Sequence, residues 1–173
     1  DETVVVDPEL RSSPDGEIYQ LADGATVTLQ QLATAMISIS DNTATDHLIA
    51  RLGRPAIEAT MAELGVSTTA RNTPFLSTGE LFMMKFVDPP LGDRFLALAG
   101  PEDRRAFLDD EVAVAALPWI ADPGWTGDPA LLTTPQRIDE IEWFATPLDL
   151  CVPLNDLDAL RETAAGAGKI GTT

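Results

Sequence analysis

Apolar residues recur with the period of an α-helix on both sides of one polar tripeptide, Ser40-Asp41-Asn42. The segment before it has five apolar positions on one helical stripe: Leu29, Leu32, Ala33, Met36 and Ile37. A second stripe follows the tripeptide: Ala44, Leu48, Ile49 and Leu52. The pattern predicts two amphipathic helices whose junction holds a hydroxyl, a carboxylate and an amide close to buried surface. Such a junction is either a helix cap or part of an active site.

Capping signals and turn residues divide the rest of the chain. Thr28 with Gln31, and Ser77 with Glu80, form two capping boxes that begin helices. The predicted helices cover about 29–39, 43–52, 55–64, 77–86, 90–98, 101–116 and 146–165, the last kinked or divided at Pro153. Residues 1–28 are turn-rich, with a short β-branched run. The predicted fold class is mainly α, with little or no sheet, as a single helical domain over residues 1–173.

Residues 117–145 are rich in proline and contain all three tryptophans of the chain. We expect an ordered excursion within the helical domain rather than a linker. The large aromatic side chains of Trp119, Trp125, Trp143 and Phe144 are predicted to be buried in it.

Charge and composition narrow the range of functions. The chain has 28 acidic and 11 basic residues, a formal net charge of −17 and a pI near 4.1. This field repels phosphate backbones, so a nucleic-acid partner is not expected. One cysteine, Cys151, and one histidine, His47, cannot form an internal disulfide or a zinc site, and no cofactor or metal is predicted. We expect Cys151 to be a small buried hydrophobe and His47 to have a surface or packing role. No apolar run is long enough to span a membrane.

Taken alone, Ser40-Asp41-Asn42 is a weak signal, because all three residue types favour helix caps and turns. Its surroundings resemble the penicillin-recognising serine hydrolases, the class A β-lactamases and related D,D-peptidases. The resemblance rests on the residues from Thr28 to Leu32, the run Ile39 to Ala44, the pairs Leu48-Ile49 and Leu52-Gly53, and the segment from Met61 to Gly65. Residues 74–86 and 141–151 look more like an actinobacterial side branch, the β-lactamase-like esterases of clavulanic acid clusters and their mycobacterial lipoprotein relatives.

The resemblance implies roles for the tripeptide. Ser40 would relay a proton to the leaving group in an acyl-serine mechanism, and Asn42 would steady a catalytic lysine and hydrogen-bond the substrate. Asp41 would point away from the substrate and hold the loop together. It also implies an acyl substrate, either a small molecule or peptidoglycan-like, and export to the cell envelope.

Three departures from the family pattern qualify this reading. No serine is followed three positions later by lysine, so the S-x-x-K nucleophile is missing. Lys169 opens the sequence Lys169-Ile170-Gly171-Thr172, which is a poor substitute for the K-T-G strand. The loop between Gly65 and Ser77 contains no acidic residue, where class A β-lactamases carry the base that activates the deacylating water. Glu80 is the nearest acid, and its capping box accounts for it. These departures favour an esterase, peptidase or penicillin-binding activity over efficient β-lactam hydrolysis.

The chain is therefore expected to be the helical part of a longer serine hydrolase, inactive by itself because the nucleophile is missing. Two alternatives stay open: a non-catalytic helical binding module in which the tripeptide is only a cap, and a degenerate family member. Exposure of the face that meets the rest of such an enzyme would favour self-association.

Overall fold

The computed structural model describes residues 2–12, 15–113 and 134–162. Two short strands, β1 (Thr3–Val5) and β2 (Thr26–Thr28), pair antiparallel with Val4 opposite Val27. The α-helices are α1 (Leu29–Ile39), α2 (Asn42–Leu52), α3 (Arg54–Glu63), α4 (Thr78–Phe82), α5 (Pro89–Ala97), α6 (Pro101–Phe107) and α7 (Pro147–Glu162). Single π-helical segments continue α4 (Met83–Val87) and α6 (Leu108–Val112), and 3₁₀ turns lie at Pro8–Leu10 and Thr69–Asn72. The mainly α fold class with little sheet is confirmed.

Both predicted capping boxes are present. Thr28 Oγ1 accepts the backbone N–H of Gln31 while the Gln31 side chain accepts the N–H of Thr28, so α1 begins directly at the end of β2. Ser77 and Glu80 make the same reciprocal pair at the start of α4. Each box satisfies two backbone donors that the first helical turn leaves without partners.

The buried apolar side chains form two clusters. The first joins the strands to α1 and α2 and contains Val6, Ile18, Val27, Leu32, Ala35 and Ala44. The second is built from α4, α5 and α6 with their π-helical extensions, and residue Ile141 completes it. The tripeptide Ser40-Asp41-Asn42 lies at the edge of the first cluster, between α1 and α2.

The predicted buried stripe of α1 is partly wrong. Leu32 and Ala35 are buried, whereas Ala33 is exposed and Ile37 is 79% exposed. The helix packs on β2 and α2 along one side only, so its buried face is narrower than the apolar stripe and is centred on Leu32 and Ala35.

Helix α7 contradicts two expectations. Cys151 is exposed, not buried, as are most of the residues of α7. A division of the helix at Pro153 is also wrong, since the helix is continuous from Pro147 to Glu162, and the alternative of a kink at Pro153 stays a prediction. The helix also exposes several leucines: Leu148, Leu150, Leu154, Leu157 and Leu160.

Much of the predicted excursion at 117–145, including Trp119 and Trp125, lies outside the described residues, as do residues 114–116 of the helix predicted over 101–116. Trp143 is 38% exposed, so its predicted burial is wrong, and Phe144 is half-buried. The Trp143 ring stacks on Phe75 at a centroid distance of 5.9 Å, and its indole N–H donates to the Leu76 carbonyl at 2.9 Å. One face of the indole therefore packs while the other stays in water.

Candidate functional site

Ser40 terminates α1 in the left-handed backbone conformation, with φ 57° and ψ 41°. Its backbone N–H and that of Asp41 both donate to the Ala35 carbonyl, which ends the helix. Glycine is the usual residue at such a position because it has no Cβ to clash. The turn holds the Ser40 side chain on the exposed surface of the junction.

Asp41 is buried and ties three segments together. Its Oδ1 accepts the backbone N–H of Ala44 at 2.9 Å, which caps α2, and its Oδ2 accepts the N–H of Ile18 at 2.9 Å. A Cβ on Gly16 would lie 2.5 Å from Asp41 Oδ2, and Gly16 has φ +99°. The close approach of the 16–18 segment to this carboxylate therefore requires glycine.

Asn42 is the first residue of α2 and is half-buried. Asp46 follows one turn later, so the two side chains share one face of the helix. The Asp46 carboxylate accepts the backbone N–H groups of Thr78 at 2.7 Å and Gly79 at 2.8 Å. This face of α2 thus meets the start of α4, where the 66–77 loop ends.

The 66–77 loop has no acid of its own, and carboxylates from other elements hold it. Glu58 of α3 accepts the N–H of Phe75 at 2.8 Å and pairs with Arg105. Asp149 accepts both the N–H and the hydroxyl of Ser67, at 2.6 and 3.0 Å. The loop is anchored at its start, near its end and at the helix that follows it.

Glu80 is fully engaged at the end of this loop. Besides its capping-box bond to the N–H of Ser77, it pairs with Arg54 at 2.7 Å. Glu80 therefore has the capping role expected of it, and both of its carboxylate oxygens have partners.

Two of these carboxylates have shifted pKa values of opposite sign. Burial raises the pKa of Asp46 to about 6, outweighing the two backbone N–H bonds that favour its ionised form. The backbone N–H groups of Thr146 and Ser67 hold the pKa of Asp149 well below its usual range. The first carboxylate is the more sensitive to mildly acidic pH.

We expect Asp149→Ala to loosen both the 66–77 loop and the start of α7. Asp149 forms a capping box with Thr146, in addition to its bonds to Ser67 and Thr68. Because its folded-state pKa is lowered, its stabilisation is present above the ordinary pKa of 3.8 and is lost as pH falls below that value. Hydrogen exchange at neutral pH should show faster exchange of the Ser67 and Thr146 amides, with the β1–β2 amides unchanged. Equal protection of Ser67 in both proteins would contradict this role.

Of the two roles predicted for His47, at the surface or in packing, the structure shows packing. Its ring is buried, Nε2 accepts the backbone N–H of Asp7 at 2.9 Å, and Nδ1 lies 2.7 Å from the Thr43 carbonyl. With Nε2 accepting, Nδ1 carries the proton and donates to that carbonyl. In the described parts of the chain, no group of three histidine, cysteine or acidic side chains could hold a metal ion. None of the helices described there is long and apolar enough to cross a membrane.

The structure therefore places Ser40, Asp41 and Asn42 together at one junction, as their adjacency requires. Lys169, the candidate for a K-T-G-like motif, lies outside the described residues. Sequence reasoning missed Asp46, Glu58 and Asp149 as the groups that hold the adjoining loop. A signal for Asp46 was available, since it follows Asn42 by one helical turn. No sequence signal identified Asp149, because its partners Ser67 and Thr68 lie 82 and 81 positions away.

Comparison with curated proteins gave no match to this chain. A protein-family model, described as the β-lactamase enzyme family, matches residues 1–103. The matched region covers more than half of the 173 residues and includes both strands, α1 to α5 and the Ser40-Asp41-Asn42 junction. The chain therefore belongs to the β-lactamase enzyme family, a serine hydrolase-like family.

Proposed function

We propose that this chain forms the helical wall of an acyl-serine active site, with its S-x-x-K nucleophile supplied by residues outside the sequence given. In this proposal Ser40 relays a proton to the leaving group and Asn42 presents its amide to the catalytic lysine and the substrate. Asp41 has a structural role. The substrate is an acyl compound, a small molecule or peptidoglycan-like, and the family resemblance favours an enzyme exported to the cell envelope.

One observation carries the proposal: of the three side chains in the tripeptide, that of Asp41 is the one that caps a helix. Within the described residues, the Ser40 hydroxyl and the Asn42 side-chain amide make no hydrogen bond, so neither is used to hold the fold. Ser40 also adopts a left-handed conformation that costs a non-glycine residue about 1 kcal/mol. A strained, uncommitted hydroxyl next to a half-buried amide is more typical of a functional site than of a cap.

The engaged carboxylates support an activity other than efficient β-lactam hydrolysis. A deacylating base needs a carboxylate oxygen that is available to a water molecule. Glu58, Glu80 and Asp149 hydrogen-bond residues of the 66–77 loop, and Asp46 hydrogen-bonds Thr78 directly after it. Each of these four carboxylates is bound to backbone N–H groups or to arginine. We therefore favour an esterase, a peptidase or a penicillin-binding protein, in the actinobacterial group that residues 74–86 and 141–151 resemble.

The decisive test compares Ser40→Ala and Ser40→Gly in the longer protein that contains S-x-x-K. Both variants lose the hydroxyl, so ester or peptide turnover should fall by about 100-fold or more in each. Their stabilities should differ, because glycine relieves the left-handed strain and should raise the free energy of unfolding by about 1 kcal/mol. Turnover assays and urea titrations measure the two effects separately.

Ser38→Ala is the matched control, since Ser38 is exposed on α1 and should leave turnover unchanged. Unchanged turnover in both Ser40 variants, with a loss of stability in either, would show that the tripeptide has a purely structural role. That result would favour the non-catalytic binding module or a degenerate family member. Rapid hydrolysis of nitrocefin by the longer protein would instead contradict the assignment against β-lactamase activity. The chain of 173 residues alone should form no covalent adduct with a fluorescent penicillin.

A further inference from the structure

Two arginines of this acidic protein differ from its other described basic residues, because they form no ion pair with a described carboxylate. Nine lysines and arginines have side chains that the structure describes. Seven of them pair with carboxylates: Arg11, Arg51, Arg54, Lys85, Arg94, Arg105 and Arg137. Arg71 and Arg104 make no ion pair with any described residue. In a chain with 28 acidic residues, two guanidinium groups without a carboxylate require an explanation.

Both of these arginines line the same pocket, which lies between the 71–76 segment, α5, α6 and residues 140–143. The pocket opens to solvent, and its empty space, mouth included, is about 300 Å³. Its narrow interior has room for a small head group rather than a whole large ligand.

Aromatic rings hold both guanidinium groups in place. The Arg71 group lies 3.5 Å from the centroid of Phe144, and the Arg104 group lies 5.0 Å from the centroid of Phe95. Such stacking uses the flat face of a guanidinium and leaves its N–H edge available. Arg71 donates one N–H to the Asp139 carbonyl. The Nε atom of Arg104 is buried without a hydrogen-bond partner.

The other polar groups of the pocket are already satisfied. Asn72 exchanges two hydrogen bonds with the backbone of Phe144, and the Thr73 hydroxyl donates to the Thr69 carbonyl. The Trp143 indole N–H donates to the Leu76 carbonyl. The charged side-chain donors of the described pocket wall that no carboxylate engages are therefore the two guanidinium groups.

Two acids also line the pocket, and each lies near a basic residue outside it. Glu142 pairs with Lys85 at 2.6 Å, and Glu140 lies 3.7 Å from Arg137. The pocket wall thus holds two guanidinium groups that no described carboxylate pairs with, in a protein of charge −17. The nearby carboxylates favour a singly charged anion over a multiply charged one, since repulsion grows with ligand charge.

We propose that Arg71 and Arg104 form a binding site for the carboxylate of a small organic acid. A carboxylate matches the planar donor edge of a guanidinium group, with which it can form two parallel hydrogen bonds. The site does not depend on the acyl-serine chemistry of the Ser40 junction, and it can be tested in this chain directly.

Acetate is the probe for a carboxylate, and inorganic phosphate is titrated separately as the alternative anion. Both titrations are made at constant ionic strength. In two-dimensional ¹⁵N–¹H NMR spectra, the side-chain Nε–H signal of Arg104 should shift saturably with acetate at millimolar concentration. Phosphate, at about −1.5 charge, should bind more weakly than acetate because Glu140 and Glu142 face it. Tighter binding of phosphate than of acetate would overturn the assignment to carboxylates.

Arg104→Gln and Arg71→Gln should each weaken acetate binding by about tenfold, the loss of one charge-assisted contact. Arg94→Gln is the matched control, because Arg94 also stacks on an aromatic ring, Phe107 at 5.0 Å, but pairs with Glu111. It should leave the dissociation constant for acetate unchanged. If Arg104→Gln fails to fold, Arg104→Lys keeps the charge without the planar edge and should still weaken binding. No saturable shift in the unmodified chain at about 100 mM acetate, or equal weakening by Arg94→Gln, would overturn the proposal.

Discussion

Replacing Asp41 by alanine should lower the free energy of unfolding by about 3 kcal/mol, the sum of a lost helix cap and a stranded buried donor. The cap contributes because Asp41 Oδ1 accepts the N–H of Ala44 at the start of α2. The second contribution comes from Ile18, whose buried N–H would have no acceptor once Oδ2 is removed. Urea titration of the chain, followed by far-ultraviolet circular dichroism, measures the change.

Asp7→Ala provides the control for the Asp41 experiment. Asp7 also caps a helix, the 3₁₀ turn at Pro8–Leu10, but its side chain is exposed and accepts only the local N–H of Glu9. Its loss should cost less than about 1 kcal/mol. Asp41→Asn should fall between the two, because an amide keeps one acceptor and turns N–H donors toward the other site. Equal effects of Asp41→Ala and Asp7→Ala would show that the bond to Ile18 contributes nothing.

Asp46 should give this protein a stability that rises as pH falls from about 6 to about 4. Its pKa is about 6 in the folded chain against 3.8 for an unperturbed aspartate, so the folded state binds the proton more tightly. The stabilisation is fully present below the unfolded pKa and is lost as pH rises through the folded one. A shift of about two units corresponds to about 3 kcal/mol between these limits.

The comparison that isolates this effect is the difference in unfolding free energy between the unmodified chain and Asp46→Asn, measured from pH 4 to pH 7. A net charge of −17 also makes mild acid stabilising in general, through reduced repulsion. Asp110→Asn controls for that contribution, because it removes the same charge from an exposed position. The difference for Asp46→Asn should grow as pH falls, and the difference for Asp110→Asn should stay nearly flat. Parallel pH profiles for the two variants would mean that Asp46 is not buried as the structure shows.

The elements of the fold were predictable where their signals are local. The capping boxes at Thr28 and Ser77 each join residues three positions apart, and both are present as predicted. The end of α1 near Ser40 and the start of α2 follow from the same kind of short-range evidence. Helix propensity and capping act within about one turn, so the sequence contains nearly all the information they need.

Burial was less predictable, because it depends on what packs against each face. Ile37 fits the apolar stripe of α1 but is 79% exposed, since no described element covers that side of the helix. Cys151 lies in an apolar stretch but is exposed on α7. Periodicity gives the angular position of a side chain on its helix, and it does not identify the neighbour that would bury it.

The sequence by itself determined that this is a mainly helical protein with an S-D-N tripeptide at a helix junction, because short-range periodicity and capping encode both. Tertiary structure alone decided how the surrounding loop is held. Asp46 reaches Thr78 across 32 positions and Asp149 reaches Ser67 across 82, and these bonds exist only after α2, α4 and α7 have packed into place. It also decided the contacts of the tripeptide, since the buried carboxylate of Asp41 reaches Ile18 only in the folded chain, whereas the side chains of Ser40 and Asn42 make no hydrogen bond within the part of the chain that the structure describes.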